Sequence, residues 1–242
     1  MRAAALVLVL LALVPVLIYG GMSVGVRYDL IGFGALFSQL GWLVPVLLVA
    51  GVAALVSFVL MLLKRALLPA AASFCVCLLA FGMAAGPILL RAKAATVPPI
   101  HDITTDTVNP PAFVAVLPLR EGAANPPEYD RSQTEAQLEA YPQIRPLVIE
   151  RPYQEVYPLV IEALRAEGMR IVAADPREGR IEAVATTSWF GFRDDVVLRL
   201  RGAHGIATLI DMRSKSRVGR SDVGANAERI ERVFGRITEE AA

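Results

Sequence analysis

Residues 3–26, 41–63 and 67–90 are three apolar runs with no carboxylate and no basic side chain inside them. Each is long enough, at about 1.5 Å per residue, to cross a hydrocarbon core about 30 Å thick. Inside a bilayer the backbone must satisfy its own hydrogen bonds, so each run is expected to be a transmembrane helix, Pro15 notwithstanding. The first run exceeds the apolar core of a secretory signal peptide. It ends in YGGMSVGV without a clean small-x-small cleavage site, so it reads as a retained span. Only a tight turn at Lys64–Arg65 separates the second and third runs, which makes them a helical hairpin. Tyr28, Phe33, Phe37 and Trp42 suit the membrane–water interface. A transporter would place ionisable side chains within its spans, so the membrane part reads as an anchor. Gly82 and Gly86 form a G-x-x-x-G spacing through which spans could associate into a structural oligomer.

The net charge of +1 conceals two opposite halves. Residues 1–93 carry six basic groups against one acidic, and the remaining residues eighteen against twenty-two. An acidic soluble half without a run of Lys or Arg argues against nucleic acid as a partner. The short Lys64–Arg65 loop is the best-placed basic cluster. It is expected on the cytoplasmic side of an inner membrane, which carries the C-terminal domain to the periplasm. The two cysteines, Cys75 and Cys77, both lie in the third apolar run and are two residues apart, a spacing unsuited to a disulfide on a helix.

Residues 94–151 are proline-rich and aperiodic, and their apolar beads at Phe113, Val114, Val116 and Leu117 suggest a juxtamembrane segment laid against the domain. The domain, 152–242, reads as α+β. Val156, Tyr157, Val160, Ile161 and Leu164 are spaced for an amphipathic helix, which Gly168 closes and Pro158 interrupts. Two strands, Met169–Ala174 and Arg180–Thr187, follow around a turn at Asp175–Gly179. Two more alternate with period two. Val196, Leu198 and Leu200 face one way, with Val197, Arg199 and Arg201 the other; Ile210 and Met212 face the core, opposite Asp211, Arg213, Lys215 and Arg217. A closing helix capped by Ser221 or Asp222 carries Val223, Ala227, Ile230, Phe234 and Ile237 on one stripe. The expected order is helix, four-stranded antiparallel sheet, helix.

Four stretches, IHDITTDTVNPP at 100–111, AYPQIRPL at 140–147, GRIEAVATTSWFGFRDDVVLRL at 179–200 and DMRSKSRVGRSDVGANAERI at 211–230, resemble the bacterial family called domain of unknown function 1499. The resemblance spans about residues 97–240. It implies an envelope-associated protein with an N-terminal membrane anchor, and it brings no established activity and no catalytic residue.

Three clusters could carry chemistry. Arg213, Lys215, Arg217 and Arg220, with Asp222 at the following helix N-terminus, could bind an anionic group such as a phospholipid head group. The competing reading is a ladder of cross-strand pairs with Glu182, Asp194, Asp195 and Asp211. Trp189, Phe190 and Phe192 surround Gly191 and could dip into the bilayer interface, or fold back to close the sheet. His101, Asp102 and Asp106 combine imidazole and carboxylates as a metal site would, but a capped hydrogen-bonded loop accounts for the same residues. His204 has no fixed relation to them. No serine stands in a nucleophile elbow, and no phosphate-binding glycine motif occurs, so no cofactor is expected.

These residues point to an integral membrane protein of the cell envelope whose domain binds a partner protein or lipid through its sheet, without catalysis. The alternatives are a metal-dependent envelope enzyme using the His101 loop and a structural protein that oligomerises through its spans.

Overall fold

The computed structural model describes residues 2–203 and 205–242, with side chains from Leu6 onward; His204 lies outside them. The chain divides into two compact units, Met1–Lys93 with Ser188–Gly191, and Ala94–Thr187 with Phe192–Ala242.

In the first unit, α1 (Arg2–Arg27), α2 (Phe33–Leu63) and α3 (Leu67–Ala94) are all long and apolar enough to cross a membrane. Helix α2 starts at Phe33, ahead of the expected Gly41, because the Phe33–Leu40 stretch continues the helix. Small residues let the helices approach: Ala12, Ala50, Ala54, Val76 and Cys77 form a buried cluster with Phe81 packed on it. A Cβ at Gly51 would lie 2.9 Å from the Phe81 ring, so a larger residue there would have to push that ring aside. The hydroxyls of Ser57 and Ser73 meet at 3.1 Å across the α2–α3 hairpin, and Ser73 also donates to the Pro69 carbonyl. At Gly82 and Gly86 a Cβ would meet nothing within 4 Å, so neither glycine is needed for packing within this chain.

The second unit is an antiparallel sheet with helices on one face. Its elements are β1 (Asp102–Thr104), α4 (Thr134–Ala140), β2 (Leu147–Ile149), α5 (Tyr153–Ala166), β3 (Arg170–Asp175), β4 (Arg180–Thr186), β5 (Arg193–Ala203), β6 (Ala207–Ser216) and α6 (Ala225–Ala241). The sheet has six strands, not the four expected. Its order is β1-β6-β5-β4-β3, and β2 pairs with β6 further along the same edge as β1. The two additional strands come from the proline-rich segment. At three residues each they are too short to show an alternation, and prolines flank them. Helix α5 runs through Pro158, giving up only the backbone bond that residue would have donated.

The alternation in β5 and β6 sets the two faces of the sheet. Ile181, Ala183, Val196, Leu198, Leu200, Ile210 and Met212 face the helices and form one core with Val156, Val160 and Leu164 of α5 and Ala227, Ile230, Val233 and Ile237 of α6. Burying such side chains contributes roughly 1.5–3 kcal/mol each, so this face supplies most of the stabilisation. The opposite face carries Glu182, Asp195, Arg199, Asp211, Arg213, Lys215 and Arg217. It is covered by the proline-rich strap, of which Phe113 and Val116 pack on Val184 and Val197.

Candidate functional site

The sheet face under the strap is charged yet buried. Asp102, on β1, accepts from Arg213 Nε at 2.9 Å, Arg213 Nη2 at 2.7 Å and Lys215 Nζ at 2.9 Å. Two strands over, on β5, Asp195 accepts from Arg217 Nε at 3.0 Å and Nη2 at 2.7 Å, and from Arg120 of the strap. The register explains the arrangement: β5–β6 pairing sets Asp195 opposite Lys215 and Arg199 opposite Asp211, so acid faces base at both positions, with Val197 opposite Arg213 between them. Side-chain exposure is 3% at Arg120 and Arg213, 1% at Lys215 and 9% at Arg217, which takes these ion pairs out of the weak surface class.

Strap carbonyls take up further donors of these cations. Arg213 donates to the carbonyls of Pro111 and Pro127, Lys215 to Glu128, Arg217 to Leu119 and Arg120 to Asn125. Burial holds the Lys215 ammonium below its ordinary value; Asp102 opposes that shift, while Arg213 and Arg120 add to it as like charges. Arg120 is lowered in the same way, by burial first and then by Arg217 and Arg213 against the pull of Asp195.

A second set of contacts fixes the strap in place. Glu182, fully buried, accepts the successive backbone N–H groups of Val114, Ala115 and Val116 at 2.9–3.1 Å and pairs with Arg180. Gln137 of α4 bonds both the N–H and the carbonyl of Thr104, standing in for a neighbouring strand along β1. Asp211 holds Arg199 and Arg201, and Arg199 also reaches Asp106. On the helix face, Asp194 pairs with Arg229 of α6.

Where the strap leaves the sheet, a cleft of about 380 Å³ opens between Pro110, Ala112, Phe113, Leu117, Pro127, Glu128, Tyr129 and Arg131, with Arg213 also lining it. The Arg213 guanidinium lies 4.7 Å from the centre of the Phe113 ring and 5.5 Å from that of Tyr129, in cation–π range of both. Arg131 is exposed and donates to the Val108 carbonyl.

A family model described as Protein of unknown function (DUF1499) matches residues 102–237, from the first residue of β1 to the last core isoleucine of α6. That is more than half of the chain. The chain belongs to this family. No protein of curated function matches it. The matched span holds the strap from Asp102 onward and its carboxylate partners, so the family unit includes the strapped sheet and extends well before residue 152.

Within this family domain the sequence candidates separate. Arg213, Lys215 and Arg217 come together under the strap, whereas Arg220 is exposed. The Asp222 carboxylate accepts from the backbone N–H groups of Gly224 and Asn226 at the start of α6, and burial raises its pKa. His101, Asp102 and Asp106 do not converge on a common point. Asp102 is taken by Arg213 and Lys215, Asp106 by Val108 N, Asn109 N and Arg199, and burial lowers the His101 pKa. Among the described residues no group of three His, Cys, Asp or Glu side chains is placed to hold a metal ion. Trp189 is exposed, and with Phe190 it falls in the helical unit, where Phe190 and Phe37 stand edge to face at 6.3 Å. Phe192 falls in the α+β unit. Arg120, Tyr129, Arg131 and Gln137 were not foreseen. The sequence offers only one hint of them: a sheet face carrying Asp195, Arg213, Lys215 and Arg217 needs polar partners if it is covered, and the strap is the nearest source.

Proposed function

We propose that the protein is a non-catalytic module of the cell envelope, anchored in the inner membrane by α1–α3, whose α+β domain binds a partner protein or lipid on the periplasmic side. The observation that carries this reading is the cleft over Arg213. It is concave, lined by two aromatic rings, prolines and two guanidiniums, and built on a face whose other charges are committed to holding the strap. Such a surface has the makings of recognition, with apolar walls and a few placed donors. Of the basic ladder, Arg213 is the member that contributes to binding, while Lys215 and Arg217 secure the strap. The exposed Trp189 indole, grouped with the apolar helices, supports a second role for the 189–190 tip at the bilayer interface.

Native mass spectrometry of the full-length protein, extracted gently from its own membrane, tests the binding reading. A co-purifying molecule of defined mass is the expected result, and bare protein at every collision energy counts against it. Sidedness is tested separately with Cys75 and Cys77 replaced by serine and a single cysteine placed at exposed Ser132. A membrane-impermeant maleimide should label it in cells whose outer membrane alone has been permeabilised; labelling only after lysis would reverse the orientation.

A further inference from the structure

The buried network is not neutral. Asp102 and Asp195 face Arg120, Arg213, Lys215 and Arg217, an excess of two positive charges among buried side chains. Carbonyl dipoles from the strap offset part of that excess, and no further carboxylate pairs with these four cations among the described residues. Uncompensated buried charge is costly, so an anion that reaches the network gains more than it would at an exposed arginine. The cleft is where it can be reached. A guanidinium has five N–H donors. Arg213 uses Nε and one Nη2 hydrogen on Asp102, the other Nη2 hydrogen on Pro127, and one Nη1 hydrogen on Pro111. One Nη1 hydrogen is left for an acceptor, on a side chain that lines the cleft. Arg131 adds an exposed guanidinium bonded to one carbonyl, and Phe113, Tyr129, Leu117 and Ala112 supply the apolar walls. Arg213 and Arg131 line the cleft with Glu128, and Arg213 shares Asp102 with Lys215, so across this connected set three cations outnumber two carboxylates by one charge.

We propose that this cleft is a binding site for a singly charged oxyanion joined to an apolar body, the oxygens meeting Arg213 and Arg131 and the body lying along Phe113, Tyr129 and Leu117. A small organic carboxylate and a phosphodiester of the lipid head-group kind share this chemistry. The proposal rests on the reading of the domain as a binding module and names the ligand class of that same site.

The test uses full-length protein in nanodiscs and three probes: 3-phenylpropionate, ethyl phenyl phosphate and the neutral 3-phenylpropanol, each titrated by calorimetry. One or both anions should bind at least about tenfold more tightly than the alcohol, the gain expected of a charge-assisted bond. The tighter anion identifies the carboxylate or the phosphodiester as the natural source. Arg131→Gln, a change at an exposed side chain, should cut that preference several-fold, with Arg213 still in place to meet the anion, and an unchanged preference would overturn the proposal. Ala112→Trp, which fills the cleft from an exposed position, should abolish binding of all three. Equal affinity for anions and alcohol, with Ala112→Trp still blocking both, would overturn the anion proposal and leave the binding reading standing. Anion binding that survives Ala112→Trp would place the site elsewhere and overturn it, as would the absence of any anion binding to the unmodified protein.

Discussion

Asp102→Asn is the sharpest probe of the strapped face. The carboxylate accepts three charge-assisted bonds at 2.7–2.9 Å from Arg213 and Lys215, and all three side chains are buried. Asparagine keeps the shape and one acceptor, but turns an amide N–H₂ toward donors. The excess of positive charge in the network rises from two to three. Breaking a buried pair by removing one partner costs about 3–5 kcal/mol, a large share of the 5–15 kcal/mol that stabilises a typical domain. With a urea m-value near 2 kcal/mol/M, the midpoint should fall by about 1.5–2.5 M. Pulse proteolysis of the full-length protein in detergent, read on the α+β unit across a urea series, measures that midpoint. Adding Lys215→Met to Asp102→Asn removes one of the stranded cations and should recover a substantial part of the loss, a non-additivity that a simple packing defect would not show. A shift below about 0.5 M, the range of an exposed pair, would refute the claim that this pair is desolvated and uncompensated.

Three further outcomes follow from individual residues. Glu182→Gln should cost about 2–3 kcal/mol and speed amide exchange at Val114, Ala115 and Val116 relative to β5, because the amide cannot accept all three N–H groups; unchanged exchange there would mean that the strap is held by other contacts. Tyr157 has a buried hydroxyl with no partner among the described residues, and burial pushes its pKa up to about 12. The unfolded chain loses that proton near pH 10 and the folded chain does not, so stability falls as pH rises from 10 towards 12; Tyr157→Phe should gain about 1 kcal/mol at neutral pH and lose that alkaline decline in a pH series of urea melts. Gly179 sits at φ +64 where a Cβ would overlap the Leu200 carbonyl oxygen, so Gly179→Ala should lower the melting temperature by about 5 °C or more, and an unchanged melt would contradict the turn geometry.

The parts of this fold that the sequence exposes are those whose signal is periodic. Alternation through Val196–Arg201 and Ile210–Arg217 assigns each side chain to its face, because a one-residue slip would turn the whole core outward. The stripe from Ala227 to Ile237 fixes the closing helix for the same reason, and the three apolar runs announce their helices by length. β1 and β2 escape because three residues do not make a period. Their place in the sheet is set by tertiary contacts, such as the Gln137 side chain that completes the bonding of Thr104.

The candidate site shows why face and burial are separate questions. Alternation places Arg213, Lys215 and Arg217 opposite the core, and on a sheet with one solvated face that would make them surface charges. What buries them is a segment lacking regular periodicity, and its hold depends on single contacts at long range: Asp102 reaching Lys215, Arg120 reaching Asp195, and the backbone at 114–116 reaching Glu182. None of these leaves a pattern in the chain, because the strap needs only one correct residue at each crossing. The same economy explains the cleft. A strap that crosses a sheet without pairing along it leaves gaps where it lifts away. The gap beside Pro110–Phe113 falls over Arg213, whose donors the strap does not exhaust. The feature that hides the charged face from a sequence reading is thus also the one that leaves part of it open to a ligand.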